Sequence, residues 1–178
     1  MKKSEMIALF QKAAEQKKLL TLYLKYDANY YNYIPLQASE KLFLAAEEDD
    51  FLLDGFSIRR FCDLKKIKIK DDKCLEILKA EKVIEGVEVP QLDLADWHSA
   101  FLSLQKLNNN IIIEHESLNE DEWVYYIGKI EKVLKSKVVF KYFDADGIWQ
   151  DEPYIIPFSK ITSVTFDSRY VTVFSKYV

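Results

Sequence analysis

The feature that most constrains this chain is an internal repeat. Its apolar pattern runs twice along the 178 residues, at an offset drifting from about 93 to about 97 positions. Tyr33-Ile34-Pro35 falls on Tyr126-Ile127-Gly128, and Lys41-Leu42-Phe43-Leu44 falls on Lys137-Val138-Val139-Phe140. Arg60-Phe61-Cys62-Asp63-Leu64 falls on Pro157-Phe158-Ser159-Lys160-Ile161, Ile67 and Ile69 on Val164 and Phe166, and Leu75 and Ile77 on Val171 and Val173. The acidic turn at residues 47–50 sits where residues 144–147 turn. A repeat of this length calls for two small units, and duplication is its simplest origin.

Within the first copy, Met6, Ile7, Phe10, Ala13 and Ala14 recur at helical spacing over residues 4–17. Residues 19–26 (LLTLYLKY) then read as a strand with Leu20, Leu22 and Leu24 on one face, because side chains alternate across a strand. Further strands are expected at residues 30–37, 40–46 and 51–60. Residues 65–70 (KKIKIK) alternate Lys with Ile, the pattern of a half-buried strand with a solvated Lys face. Asp71-Asp72 is expected to turn into a last strand at residues 74–78. Residues 79–93, with Gly86 and Pro90, read as the link. Asp93, with Asp96 three residues on, reads as the N-cap of a helix carrying Leu94, Trp97, Phe101 and Leu104. Asn108 to Asn110 end it, and the β pattern resumes at Ile111. Aromatics make up 14% of the chain, while Gly and Pro number only 4 each, which favours short-looped β structure over helix.

One helix followed by five short, strongly bent strands resembles the Sm-like fold, a helix on a small SH3-type barrel. The second half carries the resemblance in WVYYIGKIEKV, KVVFKYFDADGIW and YIIPFSKITSVTF. There Ile156-Pro157-Phe158-Ser159-Lys160-Ile161 looks like a fourth strand turning sharply into a fifth. In the first half, Asp54-Gly55-Phe56-Ser57-Ile58-Arg59-Arg60-Phe61-Cys62-Asp63-Leu64 resembles a phrase of uncharacterised bacterial proteins of this barrel type. The resemblance implies a mainly β chain of two tandem Sm-like or SH3-like five-stranded barrels, each preceded by a helix. Their expected bounds are residues 1–82 and 94–178, with a linker at 83–93. The Ile-Arg-Gly phrase with which eukaryotic and archaeal members hold RNA is missing. Ile58-Arg59-Arg60 lies a strand too early, and Ser168-Arg169-Tyr170 is not that motif. The Tyr-Lys-His signature of bacterial RNA-binding members is also missing, so no family site carries over.

Charge narrows the function classes. Residues 1–90 hold 16 Lys+Arg against 16 Asp+Glu, and residues 91–178 hold 9 against 13, so neither half has the basic excess usual for phosphate binding. The best polar patch is Arg59, Arg60, Lys65, Lys66, Lys68 and Lys70, with Tyr30 or Tyr31 as stacking platforms for RNA. The plainer reading of it is a solvated strand face whose lysines block aggregation. Trp149, Tyr154 and Tyr170 are candidate interface residues among the aromatics of the second half, which also serve as core. His98 and His115 have no ligand-spaced partner, since alternation sets Glu114 and Glu116 opposite His115. The Asp144/Asp146/Asp151 run starts like a calcium loop but has Ile155 where the bidentate Glu is needed, so a plain turn is expected. Cys62 and Cys74 read as buried free thiols without metal spacing.

No Gly-rich phosphate loop, Ser-His-Asp order or paired catalytic carboxylates occur, so neither an enzyme nor a cofactor is expected. The N-terminal stretch lacks the unbroken apolar region of a secretory signal, and no run is long enough to span a bilayer. A cytoplasmic chain without membrane partner is the expectation. Its expected role is a non-enzymatic interaction or assembly module, binding a protein partner or itself, for instance through the edges of strands four and five. RNA binding through the Lys/Arg face is the alternative.

Overall fold

The computed structural model describes residues 1–178, other than the side chain of Glu120, as two compact units, Met1–Pro90 and Gln91–Val178. The first comprises α1 (Lys3–Glu15), β1 (Leu19–Leu24), β2 (Tyr30–Ala38), β3 (Leu42–Asp49), β4 (Leu52–Arg60), β5 (Leu64–Lys70) and α2 (Lys73–Ala80). Met6, Phe10 and Ala13 form one buried stripe of α1, and the Glu5 carboxylate accepts the Lys2 backbone N–H at 2.8 Å, holding the helix start. The strands are antiparallel in the order β5-β1-β2-β3-β4. Alternation splits β1 between two cores. Leu20, Leu22 and Leu24 face α1, where the rings of Phe10, Phe43 and Phe61 meet at 4.9 to 5.6 Å between centroids. Leu19 faces the other way and packs with Ile34, Ala46 and the α2 residues Leu75 and Leu78.

The second unit comprises α3 (Trp97–Leu107), β6 (Ile111–His115), β7 (Val124–Val133), β8 (Lys137–Phe143), β9 (Tyr154–Pro157), β10 (Ser163–Phe166) and α4 (Arg169–Phe174). Asp96 caps α3 by accepting the Ser99 N–H at 2.9 Å, and Asn108, left-handed at φ 56°, ends it. The expected cap, Asp93, instead accepts from Ala95 N–H in the preceding turn. The order is β10-β6-β7-β8-β9, again antiparallel. Trp97, Ala100, Phe101 and Leu104 of α3 are buried, and Phe101 stacks on Phe158. On the opposite side Ile112, Ile127 and Phe143 meet Val171 and Phe174 of α4.

Two expectations are corrected. The ten strands, five to a unit, form open antiparallel sheet rather than two closed five-stranded barrels. Among the described residues no ladder joins β4 to β5 or β9 to β10; the 3-10 turns Phe61–Asp63 and Phe158–Lys160 carry the chain from one edge to the other without strand pairing. The expected last strand at residues 74–78 is the helix α2, and its counterpart around Val171 and Val173 is the helix α4. Leu75 and Ile77 read as alternation, yet the buried pair is Leu75 and Leu78, three apart, which is helical spacing. Asp72 and Ser168 cap these helices by accepting from Cys74 and Val171 N–H.

Gly128 marks where β7 presses closest on β8: a Cβ there would lie 2.0 Å from the Lys141 carbonyl oxygen. Backbone cannot yield as a flexible side-chain tip can. Gly128→Ala is therefore expected to cost about 3 kcal/mol or more, by analogy with severe overpacking. Denaturant unfolding checks this; a midpoint unchanged from the parent would refute so close an approach.

Candidate functional site

The structure divides the expected basic patch. Register places Lys66 opposite Tyr23 and Lys68 opposite Thr21, on the face away from α1. Both ammonium groups lie over the Tyr23 ring, at 5.4 and 5.7 Å, and Tyr30 tilts against that ring at 5.7 Å. Lys65 is exposed at the start of the same edge strand, and Lys70 reaches Asp72 at 3.8 Å. Tyr31 is tied by its hydroxyl to the Asp27 carboxylate, whose pKa that bond lowers.

The arginines stand apart from this group. Arg59 is buried on β4 opposite Phe43. Arg60 is bonded to the carboxylate of Asp63, itself buried, and Asp63 also accepts the Tyr26 hydroxyl at 3.1 Å. That network pins the turn between β4 and β5, so Arg60 has a structural task. Tyr23 was missed in the sequence, although alternation from Leu22 and Leu24 already set it on the outward face.

The interface candidates also separate. Trp149 packs on Phe143 at 4.9 Å as part of the α4-side core. Tyr170 is 54% exposed and lies in the field of Tyr125, and Tyr125 pairs with Glu114 across the β6–β7 ladder. Glu114 accepts the Trp123 indole N–H at 3.3 Å. Trp123 and Tyr125 thus flank one carboxylate on the α4 side of the sheet, with Tyr170 beside Tyr125, and each of the three rings is more than a third exposed.

Tyr154 belongs elsewhere. It packs with Tyr126 at 4.8 Å beside a pocket of about 300 Å³ opening between β6, β7 and β9. Ile113, Val124, Ile156 and Pro157 supply its apolar walls, and the polar residues along it are Glu114, His115, Glu122, Tyr126, Tyr154 and Lys160. His115 Nδ1 lies 2.6 Å from the Lys160 carbonyl oxygen, and the Glu122 carboxylate accepts the Ser117 hydroxyl at 3.3 Å. In the first unit the matching corner is filled. Leu24, last residue of β1 as His115 is of β6, is buried with Tyr33, Phe61 and Leu64.

The β9 edge has a built-in restriction. Phe158 N–H donates to Ser136 O, and Pro157 pairs with Lys137. Antiparallel geometry then aims the polar backbone groups of residues 154 and 156 at β8 and those of 153, 155 and 157 outward. Positions 153 and 157 are prolines, so Ile155 supplies the only outward N–H of this stretch. Lysines guard the β5 edge in the corresponding way.

Among the described residues no cluster suited to a metal ion occurs. Asp144 spends its carboxylate on its own turn, accepting from Asp146 and Ile148 N–H and from the Gln150 amide. His98 lies edge-on to Phe158 at 6.4 Å. Cys62 is exposed rather than buried, Cys74 is half-buried, and both thiols are free. Among the described residues no helix is long and apolar enough to cross a membrane. Comparison of the chain with protein-family models, curated proteins and solved structures finds no match in any of the three.

Burial raises the pKa of the Tyr125 and Tyr126 hydroxyls, with Tyr170 and Glu114 adding to the first and the Tyr154 hydrogen bond to the second. Unfolding returns both to about 10, the free tyrosine value. Above that pH the unfolded chain releases protons that the folded chain keeps, so stability falls as pH rises. Burial and the neighbouring Asp63 carboxylate raise the Tyr26 hydroxyl as well, so absorbance titration should show three phenols ionising after the rest. Loss of that late phase in Tyr126→Phe would assign one of them, and simultaneous titration of all eleven tyrosines would contradict the site.

Proposed function

We propose that this chain is a non-enzymatic interaction protein, built from two copies of one unit, that docks a partner protein or a second copy of itself through the aromatic face of its second unit. The observation that carries this reading is the grouping of Trp123 and Tyr125 beside Glu114, with Tyr170 next to Tyr125. Exposed Trp and Tyr are the residues enriched in interface cores, and a few such residues supply most binding energy. The identical element order of the two units, helix, five strands and helix, supports the duplication. The prolines of β9 and the lysines of β5 favour docking by a face over docking by strand addition.

Sedimentation velocity over a concentration series, with the partners retained from a lysate compared in parallel, tests the face. Tyr125→Ala with Tyr170→Ala is expected to weaken association by about tenfold or more, since each hot-spot truncation costs 1 to 2 kcal/mol. A double variant that matches the parent in both self-association and retained partners would contradict the reading.

A second reading, RNA binding, is favoured by the shared outward placement of Tyr23, Tyr30, Lys66 and Lys68. Stacking rings beside ammonium groups suit a single strand. Fluorescence anisotropy with a mixed short RNA pool should then show binding that fades with salt. Lys66→Gln with Lys68→Gln should lower the logarithmic salt slope by about 1.4, at 0.7 per phosphate contact on a single strand. Binding with an unchanged slope in that variant would sink it.

A further inference from the structure

The pocket of the second unit differs from the aromatic face in position and chemistry. It opens on the α3 side of the sheet, because Tyr126 alternates with Tyr125, and its polar groups come from two directions. From the β9 side come Tyr154 and Lys160; from the β6–β7 side come His115, Glu122 and Glu114, whose carboxylate already accepts the Trp123 indole N–H. Each group's remaining hydrogen-bonding capacity can be counted. Tyr126 and Tyr154 bond to each other through their hydroxyls, which uses one of two protons and leaves one to donate. His115 points Nδ1 at the Lys160 carbonyl, so Nδ1 donates and Nε2 of the neutral ring is left as an acceptor. Ser117 occupies one oxygen of Glu122, and the other accepts freely. No ion pair joins Lys160 to a carboxylate among the described residues.

The surplus is therefore one ammonium and one hydroxyl donor on one side, and one carboxylate and one imidazole acceptor on the other. Ile113, Val124 and Ile156 form an apolar floor. We infer that this pocket binds an apolar α-amino acid as its zwitterion, the carboxylate meeting Lys160 and the tyrosine pair and the ammonium meeting Glu122 and His115. A plain acid would leave Glu122 facing a carboxylate, and a plain amine would leave Lys160 facing an ammonium. An uncharged apolar ligand would leave both charges without partners in the pocket. The volume of about 300 Å³ lies at the low end of ligand pockets and suits about a dozen non-hydrogen atoms, the size of phenylalanine. The ligand needs no chemistry done on it, so the site extends an interaction protein without making it an enzyme. It needs none of Trp123, Tyr125 and Tyr170, and it meets the aromatic face only at Glu114, which borders both.

The test is 1H–15N NMR titration of the full chain with L-phenylalanine, L-leucine, N-acetyl-L-phenylalanine and L-phenylalaninamide. Shifts centred on Ile113, Tyr126 and Ile156 are expected with the two free amino acids. Removing one charged end should weaken binding about tenfold or more, the worth of a charge-assisted hydrogen bond. Lys160→Met should erase the preference for phenylalanine over its amide, and Glu122→Gln the preference over its N-acetyl form. Both substitutions are at exposed positions, so the folded spectrum serves as the control. Equal binding of the blocked forms would overturn the zwitterion assignment. So would silence of those amides toward both free amino acids at about 10 mM, beyond the weakest affinity a specific pocket of this size should show.

Discussion

Each five-stranded sheet of this protein carries apolar side chains on both faces, and that single constraint organises everything else. β1 alone sends Leu20, Leu22 and Leu24 one way and Leu19 the other. A sheet closed on itself covers only its inner face, so two apolar faces need two covering layers. The helix before the strands covers one and the helix after them covers the other. In the first unit Phe10 of α1 and Leu78 of α2 are fully buried, one from each side. In the second unit Phe101 of α3 and Val171 of α4 take those positions.

The two units use this plan differently. The first fills its corner at the end of β1 with Leu24, Tyr33 and Phe61, and it pins the adjoining turn with the Arg60–Asp63–Tyr26 network. The second has His115 at the equivalent strand end, bonded to the turn's own carbonyl at Lys160, and the corner stays open. Replacing a buried leucine by a ring that must satisfy two nitrogens changes a packed corner into one with polar groups to spare. The faces on the α2 and α4 sides diverge too beyond their apolar cores, towards lysine and tyrosine in the first unit and towards tryptophan and tyrosine near Glu114 in the second. The candidate sites thus lie at departures from the shared plan, and the packed cores follow the plan itself.

Much of that plan was legible in the sequence. Helical spacing placed α1 and α3, and alternation placed β1 and β5, because those segments carry apolar residues at an unambiguous period. Alternation failed at Leu75 and Ile77, where the five-residue run 74–78, apolar but for Glu76, fits either period. Asp72, an N-cap in plain view, was the better guide, since a cap reports local backbone directly. Sheet closure was not legible, because it depends on where edge strands end up relative to each other, and no local pattern records that. The basic patch was half legible. Lys66 and Lys68 follow from alternation, whereas the burial of Arg59 depends on long-range neighbours, and the pairing of Arg60 with Asp63, only three residues on, was missed. The pocket left no signal of its own, as His115 is a lone histidine until Lys160 is brought beside it from 45 residues away.

The two-faced sheet makes its sharpest commitment at residues 73–80 and 169–174. Backbone chemical shifts of the full chain in solution read those segments directly. Helical Cα shifts in both, with no cross-strand contacts between the backbones of residues 52–60 and 64–70, are the predicted result. Extended shifts there, or a ladder of such contacts closing the first sheet, would contradict the account.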